Sequence, residues 1–359
     1  MWVKLEKRPE ASSAMIYASP VLAGALTLVF GLVIFAALGK APGHAFYVFF
    51  IEPIHNLYGL GELTVKASPL ILIAAGLTVG FRAGVWNIGA EGQLAVGAIC
   101  GSVLALAFPD SHSPLLLPGM LVLGALGGMA WAAIPAFLRT RFNTSEILTS
   151  LMLVYVAQQL LVYLVNGPMR DPSGFNFPQS AMFGEAATWG PIVPGIRLNG
   201  GFFIALLSLV ALYFLLKRAF LGFQIRAAGL SEAAARYAGI RANRMTWLSL
   251  LIGGAAAGVA GVNEVAGPIG QLLPSVSPGY GFAAIIVAYL GRLHPVGILL
   301  AGLLMALIYL GGESAQVLLH LPDAITGIFQ GMLLFFILAV DVFVNFRLRF
   351  AGPAKQEAA

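Results

Sequence analysis

Charge is scarce in this chain of 359 residues: 20 Lys+Arg and 15 Asp+Glu make up 10% of it, against roughly 25% in soluble domains. So little ionic surface cannot coat a globule in water, which excludes a soluble protein. Cysteine is almost absent. Cys100 stands alone, so there is no internal disulfide and no cysteine-based metal cluster, and its place in an apolar run gives it a packing role. The five His are scattered and no HExxH occurs. A phosphate-binding P-loop is missing too: Gly39-Lys40 would need a glycine five positions earlier, where Ile34 stands. This chain therefore does not hydrolyse nucleotide. No Ser/His/Asp set or catalytic carboxylate pair stands out, and no series of intramembrane carboxylates and histidines marks a proton-coupled pump.

What the chain has in abundance is apolar residues, 59% of the total, with a mean hydropathy of +0.89. A membrane span needs about 20 mainly apolar residues. Ten runs qualify: Ile16 to Gly39, Leu63 to Phe81, Ile88 to Phe108, Leu117 to Leu138, Ile147 to Val165, Phe202 to Leu216, Met245 to Ala266, Pro274 to Gly291, Val296 to Leu310 and Ala324 to Phe343. The first is too long for a signal-peptide core and is kept as an anchor. The eighth is the weakest, since its uninterrupted stretch Phe282 to Leu290 covers only about 13 Å as a helix. The expected fold is all-α: a polytopic membrane bundle of about ten helices over residues 16–345, between tails 1–15 and 346–359.

Basic residues orient the bundle. With the N-terminus in the cytoplasm and ten crossings, only Lys40, Lys66, Arg170 and Arg197 of the 20 Lys+Arg fall outside. Both termini are then cytoplasmic, as the positive-inside rule expects. The pI of about 9.4 reflects charges that line one membrane face, not a duplex-binding patch, so nucleic acid is no partner.

Glycine is frequent, 43 residues, and Gly76/Gly80, Gly97/Gly101, Gly124/Gly128, Gly254/Gly258 and Gly327/Gly331 have GxxxG spacing, which lets helix backbones pack closely in lipid. Two runs open on residues that break or polarise a helix: the third at Asn87-Ile-Gly-Ala-Glu-Gly-Gln93, the eighth at Pro274-Ser-Val-Ser-Pro-Gly-Tyr-Gly281. They lie five spans apart and so point in opposite directions, as in an inverted repeat of spans 2–5 upon spans 7–10. Paired broken helices of this kind point to a transport pathway. Asn87, Glu91, Gln93, Ser277 and Tyr280 are the candidates to line it. Asn87 and Gln93, uncharged donors and acceptors, suit a neutral polar solute, whereas Arg82 and Glu91 could equally anchor at the interface or pair with each other.

Two loops carry further signals. In the cytoplasmic loop 217–244, Ser231-Glu-Ala-Ala-Ala-Arg-Tyr-Ala-Gly239 reads as a short helix capped by Ser231, with Glu232 in its first turn, Arg236 near its end and Gly239 just beyond. So short a helix is unstable alone in water. It is either a connector resting on the bundle or a knob that docks into a cytoplasmic partner. The outer loop 166–200, rich in Pro and Gly and carrying Phe175, Phe177 and Trp189, reads as an irregular cap that receives an external partner or acts as a lid.

Four stretches resemble a known family: Phe81-Arg-Ala-Gly-Val-Trp-Asn-Ile-Gly-Ala-Glu-Gly-Gln-Leu94, Asn143-Thr-Ser-Glu-Ile-Leu148, Ile225-Arg-Ala-Ala-Gly with Ala235-Arg-Tyr-Ala-Gly-Ile240, and Gly281-Phe-Ala-Ala-Ile with Leu290-Gly-Arg-Leu-His-Pro-Val-Gly297. They are similar to the permease subunit of bacterial ABC importers, in the simple-sugar and nucleoside branch related to ribose and branched-chain amino-acid permeases. The nucleoside type is nearest. The resemblance implies a non-catalytic subunit of the cytoplasmic (inner) membrane that binds no cofactor itself. Its implied partners are two cytoplasmic ABC ATPase subunits holding ATP and Mg, a second permease subunit, identical or not, and an external solute-binding lipoprotein. It also implies that Ala228 to Ile240 is the coupling helix, with Ser231, Glu232, Ala235, Arg236, Tyr237 and Gly239 as coupling residues. An ion-driven secondary transporter, for which only Glu264 and Asp341 come near as ion ligands, and a membrane enzyme or receptor are the other readings.

Overall fold

The computed structural model describes residues 2–8 and 12–351; Lys355 and the rest of the expected tail beyond Ala351 lie outside them. The helices are α1 (Ser13–Ala37), α2 (Pro42–Phe46), α3 (Leu57–Arg82), α4 (Ala90–Ala107), α5 (Leu116–Phe142), α6 (Glu146–Asn166), α7 (Gly200–Lys217), α8 (Phe220–Leu230), α9 (Glu232–Tyr237), α10 (Ala242–Glu264), α11 (Tyr280–Leu290), α12 (Pro295–Leu319) and α13 (Ala324–Asn345). The chain forms two compact units, residues up to Glu52 with those from Gly311, and residues 53–310.

In the first unit β1 (Trp2–Lys7) pairs antiparallel with β2 (Phe346–Ala351), Trp2 opposite Ala351 and Lys7 opposite Phe346. Hydrophobic-span reasoning misses these strands, because six residues beside a span read only as a polar tail. α1 packs on α13, the Ser19 hydroxyl donates to Asp341 at 2.9 Å, and the rings of Phe49 and Phe329 stack at 4.5 Å. Because the two ends of the chain pair, they share a membrane face.

Among the described residues nine helices are long and apolar enough to cross. The eighth expected span, Pro274 to Gly291, holds the 11-residue α11, which rises only about 16 Å. It is shorter than a full crossing, and the non-helical residues 271–279 precede it. The loop 217–244 is also more ordered than the sequence indicates, since α8 precedes the expected short helix.

In the second unit α10 is the axis, packed on α3, α4 and α5. Glycine makes this possible. A Cβ at Gly97 would lie 2.5 Å from the Gly258 carbonyl oxygen, one at Gly128 would lie 2.9 Å from Gly258 Cα, and one at Gly254 would lie 2.5 Å from the Gly128 oxygen. Helices α4, α5 and α10 therefore touch backbone to backbone. Gly327 and Gly331 share the same spacing but have open space around them, so that pair does not pack a helix within the described residues.

Candidate functional site

Helix α3 ends at Arg82, and the chain then runs non-helically to Gly89 before α4 begins. Side chains of α6 hold this break open: Glu146 accepts from the Trp86 N–H at 3.3 Å and the Ser150 hydroxyl accepts from the Ile88 N–H at 3.2 Å. Asn87 and Gln93 exchange amide hydrogen bonds of 2.8 and 3.1 Å, and Asn87 Oδ1 also accepts from Gly89 N–H at 3.0 Å. Both amides are buried. They tie the break to the first turn of α4, and their polar atoms are already engaged with each other.

The second break is built by other means. Gly279 takes φ +95°, a left-handed conformation that costs glycine little. The Ser277 hydroxyl accepts from the N–H groups of Gly279 and Tyr280 at 3.2 and 3.0 Å, and the Tyr280 ring meets that of Tyr309 edge-on at 5.3 Å. A hydrogen bond of 2.7 Å from the Gly281 N–H to Glu91 Oε2 joins the two breaks. This carboxyl group lies in the first turn of α4 and also caps α11, so one side chain serves the N-terminal ends of two helices. The contact is so close that a Cβ at Gly281 would lie 2.5 Å from Glu91 Cα.

Arg82 and Glu91 do not pair: the Arg82 guanidinium donates to the Leu293 carbonyl at 3.3 Å, at the far end of α11. The junction thus lies one length of α11, about 16 Å, from the Arg82 contact. Asn87, Glu91, Gln93, Ser277 and Tyr280, distant in sequence, all gather there.

The loop 217–244 carries a second cluster. Ser231 caps α9 through the Ala234 N–H at 3.3 Å, and Arg236 pairs with Glu232 at 2.5 Å. Ala235 is 2% exposed while Tyr237 is 95% and Leu230 89% exposed. Gly239, at φ +78°, turns the chain out of the helix. Beside α9 is a cavity of about 440 Å³ lined by Arg139, Arg141, Ser231, Glu232, Arg236 and Asn243 among others. Arg139 forms an ion pair with the buried Glu146, linking this cavity to the helix that props the first break. Span counting misses the role of Glu146; its only sequence signal is an acid in the first turn of a helix capped by Ser145.

On the opposite side the loop 166–199 is pinned to the end of α10. Trp189 N–H donates to the Ala266 carbonyl at 2.7 Å and its indole N–H to Asn263 Oδ1 at 3.2 Å. Two hydrogen bonds from Ser173, its hydroxyl first and then its N–H, hold the exposed Asp171 carboxyl below the usual carboxylate range.

Comparison with known proteins gives a consistent picture. Residues 59–338 match a family described as the permease component of a branched-chain amino acid transport system. The chain is 37% identical to a glucose ABC transporter permease protein, TsgB13, of Haloferax volcanii, covering 97% of this chain and 94% of the relative. It is 30% identical to a nucleoside ABC transporter permease protein, NupB, of Lactococcus lactis, covering 95% of each, and 28% identical to a guanosine ABC transporter permease protein, NupP, of Bacillus subtilis, covering 95% and 97%. No solved structure matches.

Proposed function

From the premise that this chain belongs to the family of branched-chain amino acid transport system permease components, we propose that it is the membrane subunit of an ATP-driven importer for a small, neutral, ring-bearing solute of the nucleoside or sugar class. The nucleoside reading is preferred for the Trp-Asn-Ile-Gly-Ala-Glu-Gly-Gln stretch from Trp86 to Gln93. The printed names of relatives cover both classes. Two cytoplasmic ATPase subunits, with ATP and Mg, supply the work, and an external binding protein delivers the solute. A second permease chain, identical or not, completes the pathway. The bias of Lys and Arg toward one set of loops supports cytoplasmic termini on a chain spanning the cytoplasmic membrane.

The observation that carries this reading is α9. It has six residues, is anchored through Ala235, and presents Tyr237 to solvent, next to the exposed Leu230 that ends α8, beside a cavity lined with arginine. A helix too short to stand alone, yet locked by a cap and an ion pair, is suited to transmit force from a docked ATPase. The motion passes from Arg139 through Glu146 to the break at residues 83–89, and so to the junction of α4 and α11. There Asn87, Glu91, Gln93, Ser277 and Tyr280 border the path, and the hydrogen bond from the Gly281 N–H to Glu91 closes the junction between α4 and α11. The path itself needs little affinity because delivery is external.

Uptake of labelled guanosine, uridine, ribose and glucose by cells with and without the gene tests the reading. Loss of uptake of one class on deletion supports it and names the solute. Unchanged uptake of all four contradicts it.

A further inference from the structure

The side of the second unit that bears the loop 166–199 holds a cavity of about 180 Å³, below the roughly 300–1,000 Å³ of pockets that engulf a whole drug-sized ligand. It has room for one ring. Its wall includes Trp189, Asn199, Arg197, Gly267, Pro268 and Val65, an aromatic ring beside an amide and a guanidinium. We propose that this cavity is a transit subsite for a single polyhydroxylated ring, a furanose or pyranose, entering from the face that carries the loop.

Three observations support it. Trp189 is fixed rather than loose, since its ring edge packs on Gly200 and both its N–H groups are engaged, leaving ring surface for C–H stacking. Asn199 spends its Oδ1 on the Gly201 N–H at 3.0 Å, so its amide nitrogen remains to donate to a hydroxyl. Finally, Arg197 donates to Glu62 at 3.2 Å and to the Pro268 carbonyl at 3.0 Å. Its charge is already balanced, so the subsite favours neutral rings over phosphorylated ones. Gly267 keeps the cavity open, since a Cβ there would lie 3.0 Å from Asn199 Nδ2.

The inference rests on the importer reading for its solute class, but it is tested without transport. Saturation-transfer NMR on the detergent-solubilised full chain, with ribose, glucose and guanosine as separate probes and ribose 5-phosphate as the charged comparison, reads binding directly. The expected result is transfer to at least one neutral probe, reduced at least threefold in Trp189→Ala and at least twofold in Gly267→Ala. Trp189→Phe should keep more than half, and the phosphate should show several-fold less. If Trp189→Ala lowers the melting temperature, Gly267→Ala and Trp189→Phe decide. No transfer to any neutral probe in the wild type, or equal transfer in Gly267→Ala, overturns the subsite. Binding without ATP-driven uptake in cells overturns the importer reading and leaves the subsite standing; uptake without binding does the reverse.

Discussion

Replacing Gly281 by alanine perturbs the one point where the two broken spans touch. The added methyl would sit 2.5 Å from Glu91 Cα and 2.8 Å from the Ala90 carbonyl carbon, about 1 Å inside ordinary carbon–carbon contact. The atoms it meets are backbone, so no rotamer change relieves the overlap. Helix α11 must slide by that amount away from α4, and the 2.7 Å hydrogen bond from Gly281 to Glu91 is lost with it. Overpacking costs typically 1–3 kcal/mol, and a hydrogen bond contributes about 0.5–1.5 kcal/mol. Together they predict a destabilisation of about 1.5–4.5 kcal/mol, with ATP-driven uptake down at least tenfold. Thermal unfolding of purified protein and uptake in cells, each beside Gly327→Ala as a control in open space, give the comparison. A Gly281→Ala protein with wild-type melting and wild-type uptake would refute the junction as a close helix contact.

Other consequences can be checked with the same two assays. Asn87→Ala strands the Gln93 amide in a buried setting and should cost about 1–3 kcal/mol, whereas Gln93→Glu should be worse because it buries a charge. Gly258→Ala, whose Cβ would lie 2.9 Å from the Gly124 carbonyl carbon, should prevent α5 and α10 from packing and lower the melting temperature sharply; Gly331→Ala should be neutral. Gly239→Ala forces a left-handed residue at a cost of about 1–2 kcal/mol, and Arg236→Ala breaks the pair with Glu232. Both should lower transport and stimulated ATPase at least fivefold while the bundle melts as before.

Sequence patterns expose some of this architecture and hide the rest for physical reasons. The long spans are visible because a hydrocarbon core demands an unbroken apolar run, and α9 because Ser231 and Gly239 mark its two ends. The break residues are visible as polar or helix-breaking groups inside such runs. Their partners are not. Nothing in the pattern tells that Glu91 caps a helix 190 residues later in the chain, because that contact arises only when two spans meet, or that Asn87 and Gln93 turn their amides on each other. Gly327 and Gly331 show the converse failure, with GxxxG spacing and no neighbour. Strands β1 and β2 escape notice because each is meaningful only beside the other. The subsite around Trp189 draws on four separate segments, of which only the aromatic loop carries a signal.

The account stands on the claim that this chain moves solute only when separate ATPases drive it through α9. Reconstitution in vesicles, first alone and then with its ATPase and permease partners, the external binding protein and enclosed or added ATP as orientation requires, tests that claim directly. Accumulation above equilibrium should appear only in the complete assembly with ATP and vanish with Gly239→Ala; uphill accumulation by the chain alone would contradict it.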